Sequence, residues 1–161
     1  MKDKKDIEKT NVMRVLDQKK VAYKAHCYVG TDAIAGQEVA AVLGQREEQV
    51  FKTLVTVGKS GQNYVFAVPV CGELDLKKAA QAAGEKSIEM IKSKELLPLT
   101  GYIHGGCSPV GMKKPFPTFV DESAKGLPSM MVSAGKIGYQ VELSPDDLAK
   151  VVKLKFAALT V

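Results

Sequence analysis

The sequence predicts an α/β (α+β) protein, a single mixed sheet with flanking helices. Three observations carry that reading. A β-branched run at 50–57 turns through Gly58-Lys59-Ser60-Gly61-Gln62-Asn63 and returns at 64–70, which is a hairpin. Helical stretches with recognisable ends stand on both sides of it. The order of strands and helices has no regular βαβ alternation, which argues against a doubly wound parallel sheet. With 161 residues, 45% of them hydrophobic and 25% charged, the chain can bury one proper core. It shows no repeats, low-complexity tracts or linkers, so one domain over 1–161 is expected.

Each element has its own signal. Residues 7–20 place Ile7, Val12, Val15 and Leu16 on a helical stripe that ends in Lys19-Lys20, cations suited to a helix C-terminus. Residues 21–29 alternate as a strand. Thr31-Asp32 can cap a turn, and 37–43 reads as a helix stopped by Gly44. After the hairpin, 75–83 has helix propensity and meets Gly84. Residues 93–97 form a short helix that Pro98 and Gly101 should terminate. Strands follow at 117–120, 130–133 and 139–142. Ser144-Pro145-Asp146-Asp147 then starts a helix running to about Lys153: hydroxyl cap, proline in the first turn, acids at the positive end of the dipole.

Composition excludes several classes. No run of about 18 apolar residues is present, so no membrane helix or membrane partner is expected. The charged start Met1-Lys2-Asp3-Lys4-Lys5-Asp6 lacks a signal-peptide core, and a cytoplasmic protein is expected. Three widely spaced cysteines, Cys27, Cys71 and Cys107, fit reduced thiols. The net charge of +5 favours polyanions. No zinc-finger, helix-turn-helix or RRM signature accompanies it, so DNA and sequence-specific readout are not expected.

Two stretches can carry chemistry. In Val50-Phe51-Lys52-Thr53-Leu54-Val55, a cation sits inside an apolar strand, which is costly unless something anionic or carbonyl-rich meets it. Lys52 either snorkels from an edge to water or faces a cavity and donates to a substrate. In Gly105-Gly106-Cys107-Ser108-Pro109, a glycine turn leaves backbone N–H groups approachable; the plainer reading is merely a turn. The spacings of a nucleophile elbow or a P-loop are missing, and Ser108 has no evident base.

Other candidates are weaker. His26, Cys27, His104 and Cys107 could bind zinc, but adjacent strand residues face opposite ways, so His26 and Cys27 should not share an ion. Cys107 could be a nucleophile if the turn is exposed and cationic, which would lower its pKa; a small apolar filler is the alternative. Lys113, Lys114, Lys125, Lys136, Lys150, Lys153 and Lys155 form either a phosphate-contacting rim or a solvated face.

Taken in order, these fragments resemble the YbaK/EbsC family of trans-acting aminoacyl-tRNA deacylases. The likeness runs through His26-Cys27-Tyr28, Phe51-Lys52-Thr53-Leu54, Leu76-Lys77-Lys78-Ala79-Ala80, Thr100-Gly101-Tyr102, Gly105 to Gly111, Val132-Ser133-Ala134-Gly135-Lys136 and Val141 to Leu148. It implies a mostly antiparallel, curved sheet like that of the editing domain of prolyl-tRNA synthetases. It also implies removal of cysteine from mischarged Cys-tRNA(Pro). On this resemblance Lys52, Gly105 and Gly106 are catalytic, and Tyr28, Thr53, Ser133 and Ser108 contact substrate, with no metal and no cofactor. The partners implied are the acceptor end of a mischarged tRNA and prolyl-tRNA synthetase. Two departures stand out. Cys27 replaces a usual threonine and Ala134 a usual glycine, and an aromatic pocket position of some members falls near Ala35.

Such chemistry needs no protein nucleophile. A small apolar pocket discriminates near-isosteres by only about 10–200-fold, so a second site must clear the wrong product. The resemblance implies attack by the substrate's own thiol on its ester carbonyl, leaving a cyclic thiolactone. The N–H groups of Gly105 and Gly106 are expected to hold the carbonyl, and Lys52 the ribose or phosphate edge. The alternatives are a deacylase for alanine or serine using water, and a non-catalytic tRNA- or synthetase-binding module.

Overall fold

A computed structural model describes residues 9–27, 44 and 46–161. Tyr28, the position near Ala35 and the expected helix at 37–43 lie outside the described residues. Helix α1 (Asn11–Gln18) starts at Thr10, whose Oγ1 accepts from the Met13 N–H, and buries Val12, Met13 and Leu16. Strand β1 (Lys24–Cys27) follows. The hairpin forms as expected from β2 (Phe51–Gly58) and β3 (Asn63–Pro69), with Phe51 opposite Pro69 and Val57 opposite Asn63.

Helix α2 (Leu76–Ala83) is capped by Asp75, which accepts from the N–H groups of Lys77 and Lys78, and ends at left-handed Gly84. The helix expected at 93–97 is longer: α3 (Ser93–Thr100) runs through Pro98 and stops at Gly101. Pro98 removes one N–H within so short a helix, and the Thr100 hydroxyl donates to the Leu96 carbonyl at 2.7 Å to tie the last turn. Strands β5 (Thr118–Asp121), β6 (Met130–Ser133) and β7 (Tyr139–Leu143) match the sequence reading. Helix α4 (Pro145–Val151) is capped by the Ser144 hydroxyl.

Two strands carried no recognised signal. Strand β4 (Ile88–Met90) is three residues long, and β8 (Leu154–Ala157) follows the expected last helix in residues given no element. Both are recruited by partners distant in sequence: β4 by the end of β2, and β8 by β5. Local propensity carries little of such pairing.

The strands form two sheets where one was expected. One is antiparallel in the order β1-β7-β6; the other runs β4-β2-β3-β5-β8, antiparallel in its first half and parallel in its second. They meet at a single parallel bridge, Val50 with Met131. Beyond that bridge the described strands make no further ladder between β2 and β6. Two residues on lie Lys52 in β2 and Ser133 in β6. Strand β4 pairs only with Thr56–Gly58 and the Ile91 N–H donates to the Val55 carbonyl at 3.4 Å, so among the described residues the Phe51–Leu54 stretch of β2 is laddered on one side alone, with β3. The fold therefore leaves an open strand edge facing the end of the smaller sheet, over a core that includes Phe51, Val55, Met130, Val132 and Val141.

Candidate active site

The open edge of β2 lines a cavity of about 430 Å³, within the size range of small-ligand sites. Lys52 and Thr53 reach it from β2, Lys92 and Ser93 from the start of α3, and His104 and Gly105 from the glycine loop. Ser133 and Gln140 close it from the smaller sheet. Much of the remaining wall is apolar, including Phe51, Val55, Met90 and Leu96. Among the described residues no Asp or Glu lines it, whereas Lys52 and Lys92 do.

Lys52 is half-buried, and among the described residues no carboxylate pairs with it. The cavity-facing reading of this lysine is the one the geometry favours, since an unmatched cation on an apolar wall is open to a ligand.

The glycine pair divides into two roles. Gly105 is left-handed, with φ of 88°, and lines the cavity; its N–H has no partner among the described residues. Gly106 differs from its expected role. Its N–H donates to the Ile103 carbonyl at 3.0 Å, and it does not line the cavity. A Cβ on Gly106 would lie 3.1 Å from the Ile137 nitrogen and 3.2 Å from the Lys136 carbonyl carbon. Backbone cannot yield there, so Gly106 is small because two loops touch at that point. The second loop runs from Ser133 to Gly138, and its left-handed positions are Gly135 and Gly138. Ala134 therefore needs no glycine, and that departure from the family pattern is harmless. Ser133 Oγ accepts from the Gly135 N–H at 3.1 Å and fixes the turn beside the cavity.

Ser108 is not brought to the cavity. It is fully buried, and its hydroxyl accepts from the Val110 N–H at 3.2 Å, a turn role. Cys107 does line the cavity, and of the two readings it fits the small apolar filler and not the activated nucleophile. Burial pushes it from the ordinary 9.0 to about 12, so at neutral pH it is a protonated filler. His26 and Cys27 serve structure: His26 Nε2 lies 2.8 Å from Glu142 Oε1, whose other oxygen accepts from the Ser129 hydroxyl, and Cys27 is buried. Among the described residues no three His, Cys, Asp or Glu side chains converge as metal ligands.

Of the two readings of the other lysines, a rim or a solvated face, their dispersal fits the second. Lys150 pairs with Asp147, Lys125 lies over Phe156 and Lys136 over Tyr139. Lys114, Lys153 and Lys155 line a separate groove. Among the described residues the cations that line the cavity are Lys52 and Lys92. Lys92, Gln140 and the cavity-lining position of His104 were not found from the sequence. Lys92 sits in an ordinary helix start and Gln140 in an ordinary strand, and only the meeting of two sheets gives them a common face.

Comparison with known proteins agrees with this architecture. Residues 31–151 match the family model described as the aminoacyl-tRNA editing domain. A curated protein of Enterococcus faecalis, provisionally named Cys-tRNA(Pro)/Cys-tRNA(Cys) deacylase EbsC, is 45% identical over 99% of this chain and 98% of its own. A crystal structure described as a provisional trans-editing enzyme for prolyl tRNA synthetase is 26% identical. It superposes with a TM-score of 0.81 over 94% of this chain and 98% of that one. A further structure, described only as a hypothetical protein, shares the fold at 22% identity, with a TM-score of 0.86 over 94% of this chain and all of that one. The chain belongs to the aminoacyl-tRNA editing domain family.

Proposed function

We propose that the protein removes cysteine from mischarged Cys-tRNA(Pro), and that the cavity between β2, the glycine loop and Ser133 holds the aminoacyl-adenosine end. One observation carries the reading: Lys52 and the Gly105 N–H, which has no partner among the described residues, line the same cavity in a chain of the editing family. The name of the Enterococcus faecalis relative supports the substrate.

Among the described residues the cavity offers donors, positive charge and the His104 imidazole but no carboxylate and no activated thiol, and in this reading the reactive group comes from the substrate. Its sulfur bonds to the ester carbonyl carbon, the bond from that carbon to the ribose oxygen breaks, and the thiol proton ends on that oxygen. Lys52 and Lys92 favour the thiolate, as cations do for any thiol. Gly105 donates to the carbonyl oxygen as negative charge develops there. The Lys52 ammonium stabilises the departing ribose oxygen. Holding the thiol and ester together contributes up to about 7–11 kcal/mol, the range for well-oriented intramolecular attack. The products are free tRNA and a cyclic thiolactone.

Contact with tRNA is electrostatic and limited to the acceptor end, with the N-terminus of α3 and Lys92 facing the terminal phosphates. Choice of tRNA then falls to association with prolyl-tRNA synthetase, in line with the description of the related solved structure. Deacylation of Cys-tRNA(Pro), Ala-tRNA(Pro), Ser-tRNA(Pro) and Pro-tRNA(Pro) by the purified protein tests the reading. Release of cysteine alone supports it. Equal release of alanine or serine replaces thiol assistance by water attack, and release of none makes the protein a binding module.

A further inference from the structure

Among the described residues, two buried side-chain atoms have no hydrogen-bond partner: Thr53 Oγ1 and Gln140 Oε1. Both residues line the same cavity. Buried polar atoms are so regularly paired that an orphan requires a reason, and two orphans on one cavity share theirs. Gln140 is only 6% exposed and stands in the middle strand of its sheet, between His26 and Ser133 in register. Its amide oxygen is shut off from solvent. Its neighbours are already engaged: His26 with Glu142, and Ser133 Oγ with the Gly135 N–H.

We propose that Gln140 Oε1 and Thr53 Oγ1 receive the α-amino group of the aminoacyl ester, making Gln140 the residue by which the site demands a free amine. The inference rests on the cavity being the aminoacyl-ester site. Thr53 adjoins Lys52 in β2, and Gln140 pairs with Ser133 at the end of the smaller sheet, so the two acceptors come from the two strands that meet at the cavity Gly105 also lines. In any aminoacyl ester the amine is one carbon from that carbonyl, whereas the ribose hydroxyl and adenine amine lie on the tRNA side. The acceptors are uncharged, and among the described residues no carboxylate lines the cavity. They suit an amine presenting two N–H donors, not an ammonium seeking an anion. An N-acylated or peptidyl ester cannot satisfy both oxygens, so the device restricts cleavage to unblocked aminoacyl-tRNA.

The test uses two stable probes, 3′-amino-3′-deoxyadenosine acylated with cysteine or with 3-mercaptopropionic acid, which lacks only the amine. Calorimetric titration of the whole protein should show the cysteinyl probe bound about tenfold or more tightly, because the other leaves both acceptors unpaired. Gln140→Met, which keeps shape without the oxygen, should erase that preference while leaving the desamino probe within about threefold of wild type. Gln140→Glu, which keeps an acceptor, should preserve the preference and controls for folding. Equal loss on both probes, or an intact preference in Gln140→Met, overturns the proposal. Failure of the wild type to bind either probe overturns the aminoacyl-ester reading itself and this inference with it.

Discussion

The N–H of Gly106 donates to the carbonyl of Ile103 at 3.0 Å, so the adjacent Gly105 is the glycine left to meet a ligand. The same turn places Gly106 against the Lys136–Ile137 backbone. Gly106→Ala should therefore act through the fold, lowering stability by about 1–3 kcal/mol as overpacking does, with activity falling in parallel. Thermal denaturation alongside deacylation rates checks this. Lost activity at unchanged Tm would return Gly106 to the chemistry.

Cys107 gives a pH signature. Its folded pKa is raised to about 12 from 9.0, so above pH 9 the unfolded chain sheds a proton that the folded chain keeps. Stability from this group is complete below pH 9 and falls as pH rises from 9 towards 12. The slope is at most about 1.4 kcal/mol per pH unit. Denaturant titrations at pH 8 and 10 should show the loss shrinking in Cys107→Ala, with deacylation kept within about threefold. A Cys107→Ala protein that is folded but inactive would mean covalent catalysis. Iodoacetamide at pH 8 should label exposed Cys71 well before Cys107.

Glu142 governs the acid side. Burial pushes its carboxyl up, but the hydrogen bonds from Ser129 and His26 outweigh that and hold it below the ordinary 4.5. A depressed carboxylate contributes stability above its unfolded pKa and loses it as pH falls through the folded value. Glu142→Gln should cost about 1 kcal/mol at pH 7 and flatten the acid limb below pH 5. An unchanged acid limb would remove this network from the account.

Ser108→Ala should leave the rate for Cys-tRNA(Pro) near wild type, because its hydroxyl serves the Val110 turn outside the cavity. A modest drop in Tm, of the order of 1 kcal/mol for one lost buried hydrogen bond, is expected. A rate loss of about a hundredfold at unchanged Tm would place Ser108 on the substrate.

Local signals in the sequence were reliable where local physics decides. The hairpin, the cap at Ser144 and the stop at Gly84 all formed as their residues dictate. Pro98 misled because an eight-residue helix has few internal bonds to lose. Strands β4 and β8, and the division into two sheets, depend on pairing across long stretches of chain, which no window of residues displays. The site divided in the same way. Lys52, Thr53, Gly105 and Ser133 were legible through family resemblance and line one cavity, while Gly106 and Ser108 sit beside it in structural roles. Lys92 and Gln140 became visible only once the cavity existed.

The decisive measurement is single-turnover release of cysteine from Cys-tRNA(Pro) by wild type and by Lys52→Ala, with folding verified by Tm. Lys52 has no carboxylate partner among the described residues, so its loss should leave Tm nearly unchanged while release slows by about a hundredfold or more. Equal rates in the two proteins would contradict the assignment of this cavity as the place where the ester is cleaved.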